Sequence, residues 1–269
     1  MDASRLLSMG WKPHTEASRL ALKNARPAPA KRTTRRPRKF SLYHLCVILD
    51  QLALGSCTAQ AAAQVIRMAC AAAGVADPVL ISRLLAYFMA RVRAGEQEID
   101  AGSQVGTVFD VLADGGCWPE WAWKYDITRF ATMPDTMAIN LGYDSRGTIG
   151  LDYSEVTGYG DELIENILDT VADIHGIAFG SEVNTDYADG PTGIIHVNPT
   201  ATVVGGHAQT IIGYDEDQEY VEVLGSWDTF GEPGQLPGVA RFGFDYVKAK
   251  FSDLWIVNRA PNIPAQVTA

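Results

Sequence analysis

A change of texture near residue 176 constrains this chain more than any other feature. Upstream of it, apolar residues recur at helical spacing. Residues 57–73 are alanine-rich and read as a buried helix, with Ser56 at the N-cap position and Gly74 as the stop. Residues 78–93 give a second helix, with Ile81, Leu84, Leu85 and Phe88 on one face. A third covers 104–113, closed by Gly115-Gly116, and a further one covers 161–175. Downstream, residues 177–180, 193–197, 208–213, 220–224, 239–244 and 254–257 read as strands divided by glycine and aspartate turns, as in an antiparallel sheet. Helices first and strands afterwards predict an α+β fold with a helical lobe and a β lobe, and a cleft between lobes is a usual place for a site. The expected division is a basic arm over residues 1–39, a helical lobe over 40–150 and a β-rich lobe over 151–269.

The 269 residues suffice for one large domain or two half-size lobes. Charge is split along the chain. Residues 1–39 hold 11 Lys/Arg against 2 Asp/Glu, a net of +9, and the rest holds 11 against 30, a net of −19. The acidic body repels phosphate, which argues against a nucleic-acid partner. The densest part of the arm, residues 31–39, has three readings. It is a solvated tail, an anchor that docks on an acidic protein surface, or a propeptide-like segment lying across the molecule. No segment approaches the ~20 apolar residues of a membrane helix, so a soluble protein is expected. Arg35-Arg36 ahead of residues 40–57 resembles a twin-arginine signal. His44, Asp50 and Gln51 interrupt its apolar stretch, which also starts late for a signal peptide. The four cysteines, Cys46, Cys57, Cys70 and Cys117, are too few for a disulfide framework and none has metal-ligand CxxC spacing. A reducing compartment such as the cytoplasm is therefore expected, with no metal site.

Chemistry gathers at two places 150 positions apart. Gly55-Ser56-Cys57-Thr58-Ala59 sets a thiol at the first turn of a helix, where unpaired backbone N–H groups and the helix dipole stabilise a thiolate. Gln51, six residues ahead, offers an amide donor that with the Cys57 N–H can hold an oxyanion. Gly205-Gly206-His207-Ala208 places an imidazole on a strand, with glycines that permit close approach of a substrate backbone. Cys46, Cys70 and Cys117 read as small buried residues. Among the other histidines, His14 lies in the arm, His44 is too near the cysteine, His175 ends a helix, and His196 reads as a satisfied sheet histidine.

Taken together, Gln51, Gly55-Ser56-Cys57, Gly206-His207-Ala208, Gly213-Tyr214-Asp215 and Ser226-Trp227 resemble the papain-like (C1) cysteine peptidases, most of all their compact bacterial and bacteriophage members. The likeness runs from about residue 39 to 257. It includes residues 116–126 and Asp100-Ala101-Gly102, which is similar to the strip that pairs with substrate backbone. The resemblance implies the papain-like two-lobe fold, a peptide or protein substrate, and no metal or organic cofactor. It further implies Cys57 as nucleophile, His207 as acid and base, and Gln51 as oxyanion donor, with Ala101, Gly102 and Gly206 lining the cleft. Two departures touch its periphery. Leu54 stands where secreted members carry a disulfide cysteine, and Thr58 replaces an aromatic. A third touches the centre, because the family's Asn-Ser-Trp is here Gly225-Ser226-Trp227. The amide that orients the imidazole is missing, and losing an orienting group costs up to ~10⁴ in rate in serine triads. A slow peptidase is therefore expected, helped by water, Ser226 or Asp228 in the vacated place. The alternative is an inactive papain-like protein with a structural or binding role, such as a bacteriophage virion or tail component docked through its arm.

Overall fold

The computed structural model describes residues 9–26, 35–146, 151–188, 192–228, 231 and 236–264. Its helical part holds α1 (Glu16–Leu20) in the arm, then α2 (Cys57–Ala72), α3 (Arg83–Ala94), α4 (Val105–Gly115) and α5 (Thr136–Ser145). Every residue of α2 from Cys57 to Ile66 is buried. Its alanines explain how a helix can be enclosed on all sides: Ala59, Ala62 and Ala63 project so little that neighbours pack almost onto its backbone. The second helix starts later than its periodicity predicts. Residues up to Ser82 are instead tied to the 118–120 segment, through Ser82 N–H to Trp118 O and Glu120 N–H to Leu80 O. The Ser82 hydroxyl then caps the helix by accepting from Leu85 N–H. The segment α5, capped by Asp135, has no counterpart in the sequence reading.

After β1 (Lys39–Ser41), the sheet is built from β2 (Asp152–Glu155), β3 (Ile177–Asn184), β4 (Ile194–Ile195), β5 (Val203–Asp215), β6 (Tyr220–Leu224), β7 (Val239–Gly243) and β8 (Phe251–Arg259). Its order is β2-β8-β3-β5-β6-β7-β4, antiparallel except for the β4–β7 pair. The thirteen-residue β5 is the spine. It pairs with β6 on one edge and with β3 on the other, and β1 continues the β3 edge with Lys39 opposite Asp215. Three helices join the sheet: α6 (Asp161–Ala172), α7 (Thr185–Ala188) and α8 (Phe244–Lys250). The strand expected over 193–197 shrinks to two residues, and the one expected over 239–244 stops at Gly243, where α8 begins. The helix expected to reach 175 ends at Ala172.

Two apolar cores result. One fills the space among α2, α3 and α4 and includes Trp118, Tyr153 and Trp255. The other lies under α6 and includes Ile167, Phe179, Ile211, Val223 and Phe242. Helix α2 joins them, with Cys57 in the first core and Met68 in the second. No helix among the described residues is long and apolar enough to cross a membrane. All four cysteines are free thiols.

Candidate active site

The thiol sits where helix and sheet meet. Cys57 is the first residue of α2 and fully buried, and the backbone amides of Ala208 on β5, Gly10 of the arm and Thr58 lie around its sulfur. The Thr58 contact is possible because Ser56, although in the N-cap position, makes no side-chain cap. Its hydroxyl is instead paired with the Tyr125 hydroxyl at 2.6 Å. The approach to the helix is braced by Asp100, whose carboxylate accepts from Gly55 N–H (3.0 Å) and from the Tyr87 hydroxyl (2.5 Å). Burial pushes the thiol up to about 11, and the three amides pull only partly the other way.

His207 lies one residue before Ala208, so the predicted base stands on the strand whose backbone the Cys57 sulfur approaches. The imidazole is fully buried and stacks on Trp227, with centroids 4.1 Å apart and planes within 13°. Neither ring nitrogen has a hydrogen-bond partner among the described residues. Burial drives its pKa down to about 3. Thiol and imidazole are thus both neutral here. The substitutes considered for the missing asparagine point elsewhere. The Ser226 hydroxyl donates to Gln51 Oε1 at 2.5 Å, and Asp228 is exposed, with a left-handed φ of 54° and its N–H on the Leu49 carbonyl.

Gln51 is buried and held at both ends of its amide, since Nε2 donates to the Leu54 carbonyl at 2.9 Å while Oε1 takes the Ser226 hydroxyl. Its backbone is stitched to the same segment by Gln51 N–H to Ser226 O. Ser226, expected beside the imidazole, and Tyr125, whose hydroxyl donates to Gln51 O at 2.8 Å, instead hold Gln51 in place. Tyr125 lies in the 116–126 stretch of the likeness, but its bond to Gln51 spans 74 residues and could not be read from the sequence.

The cleft is filled by the chain's own arm. Met9, Gly10 and Trp11 cross it as an extended peptide bonded on both walls. Ser103 N–H donates to Gly10 O (2.8 Å), Lys12 N–H to Ser103 O (2.9 Å) and Trp11 N–H to Gly206 O (3.2 Å). Two predicted lining residues face it directly. A Cβ on Gly102, whose φ is +73°, would strike the Gly10 carbonyl, and one on Gly206 or Gly180 would strike the Trp11 ring. Ala101 instead ties its N–H to the Ile99 carbonyl. The Trp11 indole N–H reaches Asp253 Oδ2 at 3.1 Å. Asp253 itself has a left-handed φ of 58° and also accepts from Val105 N–H and the Trp255 indole, with His14 Nε2 3.4 Å away. His14, set aside as a residue of the arm, is therefore buried in the assembly that holds the arm down.

Further along, the basic end of the arm meets acid on the same molecule. Arg36 bonds Glu216 (2.5 Å), Asp169 and Glu165 (both 2.8 Å), Arg38 pairs with Asp217, and Lys39 with Asp215. Residues 31–34 of the dense basic run lie outside the described residues. Of the remaining histidines, His175 places Nδ1 3.0 Å from the Val257 carbonyl, and exposed His196 pairs with Asp245 at 2.9 Å.

No family model matches the sequence. Over 217 residues the chain is 27% identical to an uncharacterized peptidase C1-like protein of Acanthamoeba polyphaga mimivirus, spanning 78% of this chain and 68% of that one. In structure it is similar to xylellain, a cysteine protease from Xylella fastidiosa, with a TM-score of 0.79 and 20% identity over 94% of this chain and 96% of that one. It is also similar to procathepsin B S9 of Trypanosoma congolense, with a TM-score of 0.66 and 16% identity over 97% and 88% of the two chains. With a thiol at a helix start and an imidazole on the sheet, the chain has the fold of the papain-like cysteine proteases and is similar in sequence to a peptidase C1-like protein.

Proposed function

We propose that the protein is a cysteine peptidase seen with its own arm lying in the cleft. The observation that carries this reading is the Cys57 sulfur resting on the amide next to His207, in a cleft that already binds an extended peptide through backbone hydrogen bonds. The arm is a poor substrate in this pose. Its Gly10 presents an N–H to the sulfur, while the Gly10 carbonyl is turned to Ser103. Cleaving a peptide requires the thiolate to reach a carbonyl carbon, so the bound arm blocks without being cut.

With the arm displaced, His207 regains water and can take the Cys57 proton, giving a thiolate and an imidazolium. The thiolate attacks a substrate carbonyl; the Cys57 N–H and the Gln51 amide N–H stabilise the resulting oxyanion, such donors being worth ~3–4 kcal/mol each. His207 gives its proton to the departing amine, leaving a thioester at Cys57. It then takes a proton from water, whose oxygen attacks the thioester and restores the thiol. Gly102 and Gly206, which now bond the arm, would pair with the substrate backbone. The alternative of a purely structural protein has no comparable observation behind it.

The test is labelling of the full chain with a thiol-directed epoxide, comparing wild type with Trp11→Ala, which empties the arm's main side-chain seat. The reading predicts that Trp11→Ala labels at Cys57 faster than wild type and faster than at Cys70. Equal labelling of Cys57 and Cys70 in that variant would defeat it.

A further inference from the structure

Resting on the peptidase reading, we infer that Gln209 is the positioning residue of His207, taking over from the asparagine that Gly225 replaces. Three buried polar atoms in this part of the molecule lack partners among the described residues: both ring nitrogens of His207 and Oε1 of Gln209. A neutral imidazole carries one N–H that needs an acceptor, and Oε1 is an acceptor that needs a donor. The two residues stand two positions apart on β5, so their side chains leave the same face of the sheet.

Gly225 supplies the room. A Cβ built there would lie in ordinary contact, 3.4 Å from the Tyr187 hydroxyl and 3.5 Å from Gln209 Nε2, so the Gln209–Tyr187 pair borders the space that the longer part of a side chain at 225 would enter. Gln209 Nε2 donates to that hydroxyl at 2.6 Å, and Tyr187 stacks on Trp227, the ring that covers His207. A cavity of about 10 Å³, bordered by Gln209, Gly225 and Ser226, lies beside the amide. The terminal torsion of a glutamine is soft. A turn about it brings Oε1 to the imidazole N–H once the arm leaves and the ring becomes charged. The chain has moved its orienting amide from the residue just after β6 to β5 rather than lost it.

The experiment compares Gln209→Met, Gly225→Asn and the double variant Gln209→Ala/Gly225→Asn, each in full-chain protein carrying Trp11→Ala. Methionine keeps the volume of glutamine and removes the acceptor. Gln209→Met lowers kcat by about 10–100-fold with KM nearly unchanged, as removal of an orienting group does. Gly225→Asn alone gains nothing, because Gln209 and Tyr187 occupy its space. In the double variant alanine clears the space that a longer residue at 209 fills, so the asparagine enters and recovers most of the lost rate. The ring N–H of His207, followed by NMR in histidine-labelled protein, shows a hydrogen-bonded resonance that Gln209→Met abolishes and the double variant restores. An unchanged kcat and resonance in Gln209→Met, or a double variant no better than Gln209→Met, overturns the inference. If Cys57 in the Trp11→Ala parent reacts no faster than Cys70, the peptidase reading itself falls. The NMR comparison still decides whether Gln209 holds the ring.

Discussion

Gly10 fixes where the arm runs. Its Cα lies so close to the Gly55 main chain that a Cβ would overlap the Gly55 carbonyl. Overpacking of this kind costs about 1–3 kcal/mol, so Gly10→Ala should lift the arm and speed Cys57 alkylation by about tenfold or more. A Gly10→Ala protein alkylated at the wild-type rate would mean the arm does not guard the sulfur. The two central residues also set a pH window. Burial holds His207 near 3 instead of 6.5, so between those values a state with the ring in water binds the extra proton. The covered state therefore loses stability as pH falls through that range. For Cys57, raised to about 11 from 9, the covered state is disfavoured as pH rises from 9 towards 11. Amide exchange at residues 9–12, corrected for its intrinsic pH dependence, should show weaker protection at pH 4 than at pH 7. Equal protection would contradict the burial account.

At the level of elements, α2 and β5 hold the site, and both depend on small residues. Ala62 on α2 is fully enclosed, and Ala62→Leu has no space to enter. It should destabilise the fold by about 1–3 kcal/mol, read as a lower denaturation midpoint with an unchanged slope. Both elements were legible in the sequence: one from its alanine run behind Cys57, the other from the run that follows His207. What escaped did so for physical reasons. In α5 only Ala138, Gly142 and Ser145 are buried, too weak an apolar stripe to register as a period. The short α8 follows β7 without a break, and its Phe244 continues the strand's apolar pattern. The link between Ser226 and Gln51 spans 175 residues and exists only after the sheet has formed.

For the molecule as a whole, the charge asymmetry of the sequence becomes an internal attachment. Arg36 is mostly buried among Glu165, Asp169 and Glu216, with 17% of its side chain exposed. Arg36→Gln leaves three carboxylates facing each other, a loss expected to cost about 1–3 kcal/mol. Limited trypsin digestion at Arg38 and Lys39 should become faster in that variant, and added salt should narrow its difference from wild type. Digestion indifferent to Arg36 would show that this cluster does not hold the arm. With that attachment and the Trp11 seat, the arm is tied at both ends of its path over the body.

The central claim is that Cys57 and His207 act as one chemical unit beneath the arm. The pH dependence of Cys57 alkylation in full-chain Trp11→Ala, with and without His207→Ala, tests it most directly. The account predicts a reactive limb well below the ordinary thiol value of 9 in Trp11→Ala, and its disappearance when His207 is removed. Identical profiles in the two proteins, both rising only towards pH 9, would contradict it.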